Sequence, residues 1–200
     1  MNPTKVSSGL GKPCELPLNT GRLLIIGTGA IGVANLPGWC TAIKSWYGHE
    51  VKVLLTRTAQ TLVSPQSIAA TSGSQPIIAD FNGTCDYPVP HKQLASWPDL
   101  IIVSPATLNF ISQAALMIPG NLAVYTTLLT DAPVLVAPSI PGKLWTSKRV
   151  QKYATELRER GWNVLEPSTG ISVSDSSTNT GALPNIYQVL LSASKLLTGK

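Results

Sequence analysis

Residues 100–110 read LIIVSPATLNF. An apolar run, residues 100–103, ends in Ser104-Pro105, and a small polar segment follows. A short, continuous apolar run closed by a proline is the pattern of a parallel strand buried on both faces. The chain leaves that strand through a loop and enters a helix near Thr107. Open α/β sheets bind ligands in the crevice beyond such strand ends. Upstream lies a glycine-rich turn after the first strand, and just before residue 100 lies His91 in a proline-flanked loop. The pattern places a cofactor on this edge with His91 beside it.

Outward from that strand, residues 22–26 (RLLII) form another, and residues 27–32 (GTGAIG) turn the chain. Residues 31–46 carry apolar side chains at helical spacing, with Pro37 either kinking the helix or marking its true start. Residues 51–55 are a strand, and Pro65 opens a helix to about residue 70. Residues 75–90 are irregular, with a short strand at 76–79. Residues 91–96 give one turn of helix. Residues 108–117 are a helix ended by Pro119-Gly120, residues 122–129 a helix on the sheet, and residues 133–137 a buried strand. Residues 147–160 are the clearest helix, with Val150, Tyr153, Ala154 and Leu157 on one face and Gly161 as its cap. A strand at 162–165 and a terminal helix at 184–197 complete the series. Between them, residues 174–181 (SDSSTNTG) form a polar loop, disordered or a functional lid.

Strand and helix alternate throughout, so the expected fold is α/β. It is Rossmann-like (flavodoxin-like), a mostly parallel sheet with helices on both faces. Residues 1–21 are expected to be a flexible tail, and 22–200 a single domain with a substrate lid at 170–183.

Two hundred residues, 44% of them hydrophobic, suffice for one domain with a substantial core. Charged residues are only 12%, so part of the surface is expected to be buried in an oligomer. The net charge of +5 is not gathered into a stripe and accompanies no nucleic-acid motif, which favours an anionic ligand over nucleic acid. Cys14, Cys40 and Cys85 lack metal spacing and cannot all pair, so they read as reduced cytosolic thiols. No stretch spans a membrane, and residues 1–21 lack the apolar core of a signal peptide. A cytoplasmic protein without membrane or nucleic-acid partners is expected.

Gly27, Gly29 and Gly32 match G-x-G-x-x-G. The acidic residue expected after the next strand is missing; Leu55, Thr56 and Arg57 stand there, which argues against NAD. Hydroxyls at Thr28, Thr56 and Thr58, with backbone N–H groups at the helix start, suit a phosphate. Arg57 either adds charge or is solvated. The phosphate reading is set ahead of a purely structural turn, and a mononucleotide such as FMN fits better than a dinucleotide. His91 is one of two histidines; His49, in a Gly-His-Glu turn, reads as a surface residue. An imidazole with its ordinary pKa of ~6.5 can take and return a proton near neutrality, but spacing alone does not make His91 catalytic. No metal cluster is present. Ser104, Ser139 and Ser174 match no nucleophile elbow, which argues against a hydrolase.

Taken together, GTGAIGV at 27–33, GHEVKVLLTRTAQTLVSP at 48–65, SPATLNF at 104–110 and LPNIYQVL at 183–190 resemble the homo-oligomeric flavin-containing cysteine decarboxylases. That family includes the peptidyl-cysteine decarboxylases of lantibiotic biosynthesis and the phosphopantothenoylcysteine decarboxylases. SPATLNF is similar to its P-A-S-A-N-T motif, and His91 stands at the spacing of its active-site histidine. The resemblance implies FMN rather than FAD, held by Gly27, Thr28, Gly29, Ala30, Thr56, Thr58, Pro105, Ala106, Thr107 and Asn121. It implies His91 as the catalytic residue and a trimer or dodecamer as the assembly.

One motif departs. The family's P-x-M-N-x-x-M-W corresponds here to PSIPGKLW at 138–145, with Pro141 in place of the substrate-binding asparagine. Lys143 or a serine, Ser139 or Ser174, then stands in for it, beside Asn109 and the retained Trp145. The coenzyme A reaction leans on that asparagine and on a late cysteine, and no cysteine follows Cys85. The resemblance therefore implies oxidative decarboxylation of the C-terminal cysteine of a ribosomal precursor peptide, giving an enethiol for aminovinyl-cysteine ring formation alongside other peptide-modifying enzymes. Alternatives are a phosphopantothenoylcysteine decarboxylase, a flavin prenyltransferase-like enzyme and a non-catalytic flavin-binding protein.

Overall fold

The computed structural model describes residues 11–79, 88–171 and 178–199. Six strands form one parallel sheet: β1 (Arg22–Gly27), β2 (Glu50–Leu55), β3 (Ile77–Ile78), β4 (Leu100–Ala106), β5 (Val134–Pro138) and β6 (Asn163–Val164). Their order is β3-β2-β1-β4-β5-β6. This is the Rossmann order, and without the two-residue edge strand β3 the rest follow the flavodoxin order. The short strands β3 and β6 blunt both edges.

Side chains alternate across the strands, so each central strand supplies two cores. Leu24, Ile26, Ile101, Val103, Val134 and Val136 face α4 (Leu108–Ala115), α5 (Leu122–Leu129) and α7 (Lys148–Glu159). Leu23, Ile25, Leu100, Ile102, Leu135 and Ala137 face α1 (Leu36–Tyr47), α2 (Pro65–Ser72) and α8 (Ile186–Thr198). Helices thus cover both faces, as a doubly apolar strand requires. Burial in the second core pushes the Cys40 thiol up to about 11, so it stays neutral. No helix among the described residues is long and apolar enough to cross a membrane.

Pro37 marks the true helix start. A 3-10 turn, Ile31–Asn35, precedes α1, and Pro37 lies in the first turn of α1, where its missing N–H costs nothing. Two expectations are corrected. Residues 11–21 are packed rather than a flexible tail: Leu16 is buried, Tyr47 Oη donates to the Cys14 carbonyl at 2.9 Å, and His49 Nε2 lies 3.0 Å from the Leu16 carbonyl. His49 itself is half-buried and stacks on Tyr47. The polar stretch before α8 is not all loop: β7 (Ser168–Ile171) pairs antiparallel with β8 (Thr178–Ala182). The rest of the expected lid, 172–177 with Ser174, lies outside the described residues, as do Cys85 and residues 1–10.

A short helix not foreseen in the sequence, α6 (Gly142–Trp145), follows β5. The helix α3 (Pro90–Ser96) carries His91 in its first turn.

Candidate functional site

The chain leaves β1 toward α1 on one face and β4 toward α4 on the other. Between these adjacent strands the connections diverge, and a crevice must open there. A cavity of about 550 Å³ occupies it, within the ~300–1,000 Å³ usual for small-molecule sites. Its walls are Thr28 and Gly29 after β1, Thr56, Arg57 and Thr58 after β2, Ala79 after β3, Thr107, Asn109 and Phe110 at the start of α4, and Gly120 and Asn121 before α5.

The walls are tied across the crevice. Thr28 is buried, its N–H and Oγ1 both reach the Pro105 carbonyl, at 3.2 and 2.7 Å, and its Oγ1 accepts the Thr107 N–H at 2.9 Å. The Thr28 hydroxyl is therefore spent on the protein, which corrects its expected role as a phosphate donor. Thr56 Oγ1 accepts from Ala59 N at 3.3 Å, which leaves its own proton to donate. Thr107 Oγ1 caps α4, and Asn121 Oδ1 caps α5 by accepting from Val124 N at 3.1 Å, so the Asn121 amide N–H group is its remaining donor. Arg57 is the charged residue on the described walls, and no carboxylate stands there. Such a donor-rich, acid-free wall accepts an anion.

The glycines are explained by close approach. A Cβ on Gly29 would meet Thr58 Cγ2 at 2.6 Å, and one on Gly32 would meet Leu183 Cδ2 at 2.7 Å. Gly27 is enclosed by Val33, Leu36 and Leu55.

Of the residues expected to hold a cofactor, Thr28, Gly29, Thr56, Thr58, Thr107 and Asn121 line the cavity. Gly27, Ala30, Pro105 and Ala106 are not among its wall residues, and Ala106 is paired to Pro138 in the sheet. Asn109 joins the walls; Phe110, Gly120 and Ala79 were not foreseen, because no motif marks them.

The other expected residues lie elsewhere. His91 is not a wall residue; its ring stacks on Tyr125, with centroids 4.4 Å apart, and Tyr125 N donates to the carbonyl of the wall residue Asn121. Ser139, Pro141, Lys143 and Trp145 gather at the root of the β7-β8 hairpin: Ser139 N donates to Ala106 O at 2.9 Å and Ile140 N to Gly181 O at 3.1 Å. Gly142 lies against the Thr180 carbonyl, where a Cβ has no room. Lys143 is exposed. Trp145 is buried, and its Nε1 donates to Glu166 Oε2 at 2.8 Å; Arg158 holds the other Glu166 oxygen at 2.8 Å. The Trp145 indole N–H is thus committed to the protein.

A crevice of this shape, with this donor set, at the switch point of a parallel sheet defines a nucleotide- or flavin-binding α/β protein. The chain belongs to the Flavoprotein family, whose sequence profile matches residues 14–197. It is 32% identical over 161 residues to the coenzyme A biosynthesis bifunctional protein CoaBC of Mycobacterium tuberculosis, covering 79% of this chain and 38% of that one. The chain thus spans under two fifths of the length of the curated relatives it matches first. Among solved structures it matches the FMN-dependent cysteine decarboxylase SpaF with a TM-score of 0.73 and 28% identity, over 86% of this chain and 96% of that one. It shares the fold of a phosphopantothenoylcysteine (PPC) decarboxylase variant complexed with pantothenoylaminoethenethiol, with a TM-score of 0.75 and 19% identity over 90% and 98% of the two chains.

Proposed function

We propose that the protein is an FMN-dependent decarboxylase that oxidises a cysteine at its Cβ–thiol and removes its carboxylate as carbon dioxide, leaving an enethiol. The observation that carries this is the donor-lined cavity at the β1/β4 crevice of a Flavoprotein-family chain. Its size and its hydroxyl and amide donors fit a flavin phosphate and ring. Thr56 and Thr58 hold the phosphate beside Arg57. Asn109 and Asn121 turn amide N–H groups toward the ring and substrate. A flavin held by these residues would supply the two-electron oxidation that the cysteine Cβ–thiol needs. His91, stacked on Tyr125 next to Asn121, takes the thiol proton. The resulting thioaldehyde loses carbon dioxide, and the electron pair of the broken bond leaves an enethiol once a proton returns from His91. The exposed run Leu116, Met117 and Ile118 supports a homo-oligomer.

For the substrate, the CoaBC relatives support phosphopantothenoylcysteine, the better backed of two readings. Two features favour the other, a ribosomal peptide ending in cysteine: Pro141 in place of the expected asparagine, and no cysteine after Cys85. SpaF, matched over nearly its whole length, supports the peptide reading as well.

The experiment is mass spectrometry of FMN-loaded protein with phosphopantothenoylcysteine and with cysteine-ended peptides. The substrate is the one that loses carbon dioxide, and a loss of about 46 Da, carbon dioxide plus two hydrogens, marks the enethiol product. A loss of about 44 Da would mean a saturated product and a reductive second step. A protein that takes up no FMN, or that alters neither substrate, overturns the proposal.

A further inference from the structure

Asn109 is exposed on the cavity wall at the second position of α4. Four residues on, one turn along the same helix, Gln113 Nε2 donates to Asn109 Oδ1 at 3.2 Å. That bond uses the carbonyl end of the Asn109 amide. Its Nδ2 group makes no hydrogen bond among the described residues, so what Asn109 offers the cavity is a pair of N–H donors.

Gln113 is packed against the α4–α5 turn. Its Oε1 is buried without a hydrogen-bond partner, and it fills the space beside Gly120, where a Cβ would come within 2.8 Å of it. Gly120 is a wall residue next to Asn121. The Gln113 carboxamide lies under the α4–α5 turn with its donor end toward Asn109. Turned end for end, it would place its N–H group beside Gly120 and its oxygen against the Asn109 oxygen.

We infer that Gln113 is a positioning residue that fixes the Asn109 amide donor-outward, so the cavity takes an acceptor there. Resting on the flavin reading above, the acceptor is a carbonyl of the flavin ring or the carboxylate of the substrate. Gln113 acts only through Asn109.

The test pairs Gln113→Glu with Gln113→Met, each alone and in an Asn109→Ala background. An ionised glutamate side chain offers only acceptors, so Asn109 must turn its N–H group inward and present oxygen to the cavity. Methionine keeps the volume and imposes no orientation. FMN affinity is read by flavin fluorescence, and the environment of bound flavin by its visible absorption. If the acceptor is on the flavin, Gln113→Glu weakens FMN binding about tenfold and shifts the visible band, and Gln113→Met loses less. If it is the substrate carboxylate, FMN binding holds and KM rises about tenfold at constant kcat. In both cases the loss vanishes in the Asn109→Ala background. A role in packing alone predicts the same loss with and without Asn109, and that result overturns the inference. So does a Gln113→Glu protein with wild-type FMN affinity, spectrum and KM. Wild-type protein that binds no FMN overturns the flavin reading instead.

Discussion

Thr28 separates a structural hydroxyl from a ligand-binding one, and Thr28→Val tests the difference. Valine keeps the shape and deletes the hydroxyl. Pro105 O still receives the Thr28 N–H, but the Thr107 N–H loses its acceptor at 2.9 Å. Thr28 is 1% exposed, so a valine methyl takes the place of the hydroxyl oxygen beside that N–H and keeps water from it. An orphaned buried donor costs about 1–3 kcal/mol, and we take about 2 kcal/mol. For a chain of this size, each kcal/mol moves Tm by roughly 2–4 °C, so the expected fall is about 4–8 °C.

The assay is thermal unfolding of flavin-free protein at one fixed concentration, because assembly would make Tm concentration-dependent. Thr28→Ser is the control. It keeps the hydroxyl and gives up one buried methyl, about 1 kcal/mol, so it should melt above the valine variant. A hydroxyl serving a phosphate would cost nothing without flavin. Thr28→Val melting within about 1 °C of wild type would refute the structural role.

Gly29→Ala forces a Cβ against Thr58 Cγ2 at 2.6 Å and must displace a second cavity wall; FMN affinity should fall at least tenfold, and an unchanged fluorescence titration would contradict this. His91→Asn should leave FMN bound and cut carbon dioxide release by about two to four orders of magnitude, since a general base contributes that much; near-wild-type turnover removes His91 from the mechanism. Burial would raise the Asp99 carboxyl, but hydrogen bonds from Arg22 N, Thr20 N and Thr20 Oγ1 outweigh it and hold the pKa below the ordinary range. The stability it contributes is complete above the unfolded pKa of ~3.9 and is lost as pH falls through the lower folded value. The Tm gap between wild type and Asp99→Asn should therefore be constant near neutrality and close below about pH 4; a gap independent of pH down to the acid limit would exclude this role.

The strands β1, β4 and β5 are legible because a strand covered on both faces must be apolar at every position. The hairpin is not. STGI and TNTGA carry no apolar alternation, and they pair because Gly142 and Ile140 bring α6 against β8. The same reason hides the packing of residues 11–21, whose polar contacts run to Tyr47, His49 and Asp99, far along the chain. In the site, Gly29 of the glycine-rich turn and the threonines after β2 stand on the crevice wall. The Thr28 hydroxyl misleads, because its partners lie 77 and 79 residues away and no local pattern records them. Gln113 carries no motif at all; only the helical spacing of Asn109 and Gln113 hints at the pair.

The end of β4 joins two regions that the sequence treats separately. Pro105 O and Thr107 N are tied to Thr28 on the cavity side. Between them, Ala106 O accepts the Ser139 N–H, and the next residue, Ile140, donates to Gly181 in the hairpin. A single run of backbone thus connects the cavity wall, α6 and β8. The residues proposed to hold a cofactor and those proposed to meet substrate around Ser139 are both referenced to the same three residues of β4 and its exit. A backbone hydrogen bond is short and directional, so any shift of the Thr107 peptide is shared by both sides. The proposed chemistry needs a cofactor ring and a cysteine Cβ held at fixed separation, because orientation is the part of catalysis that the protein supplies. A rigid strand end bonded to both sides meets that need, whereas two independent loops would not.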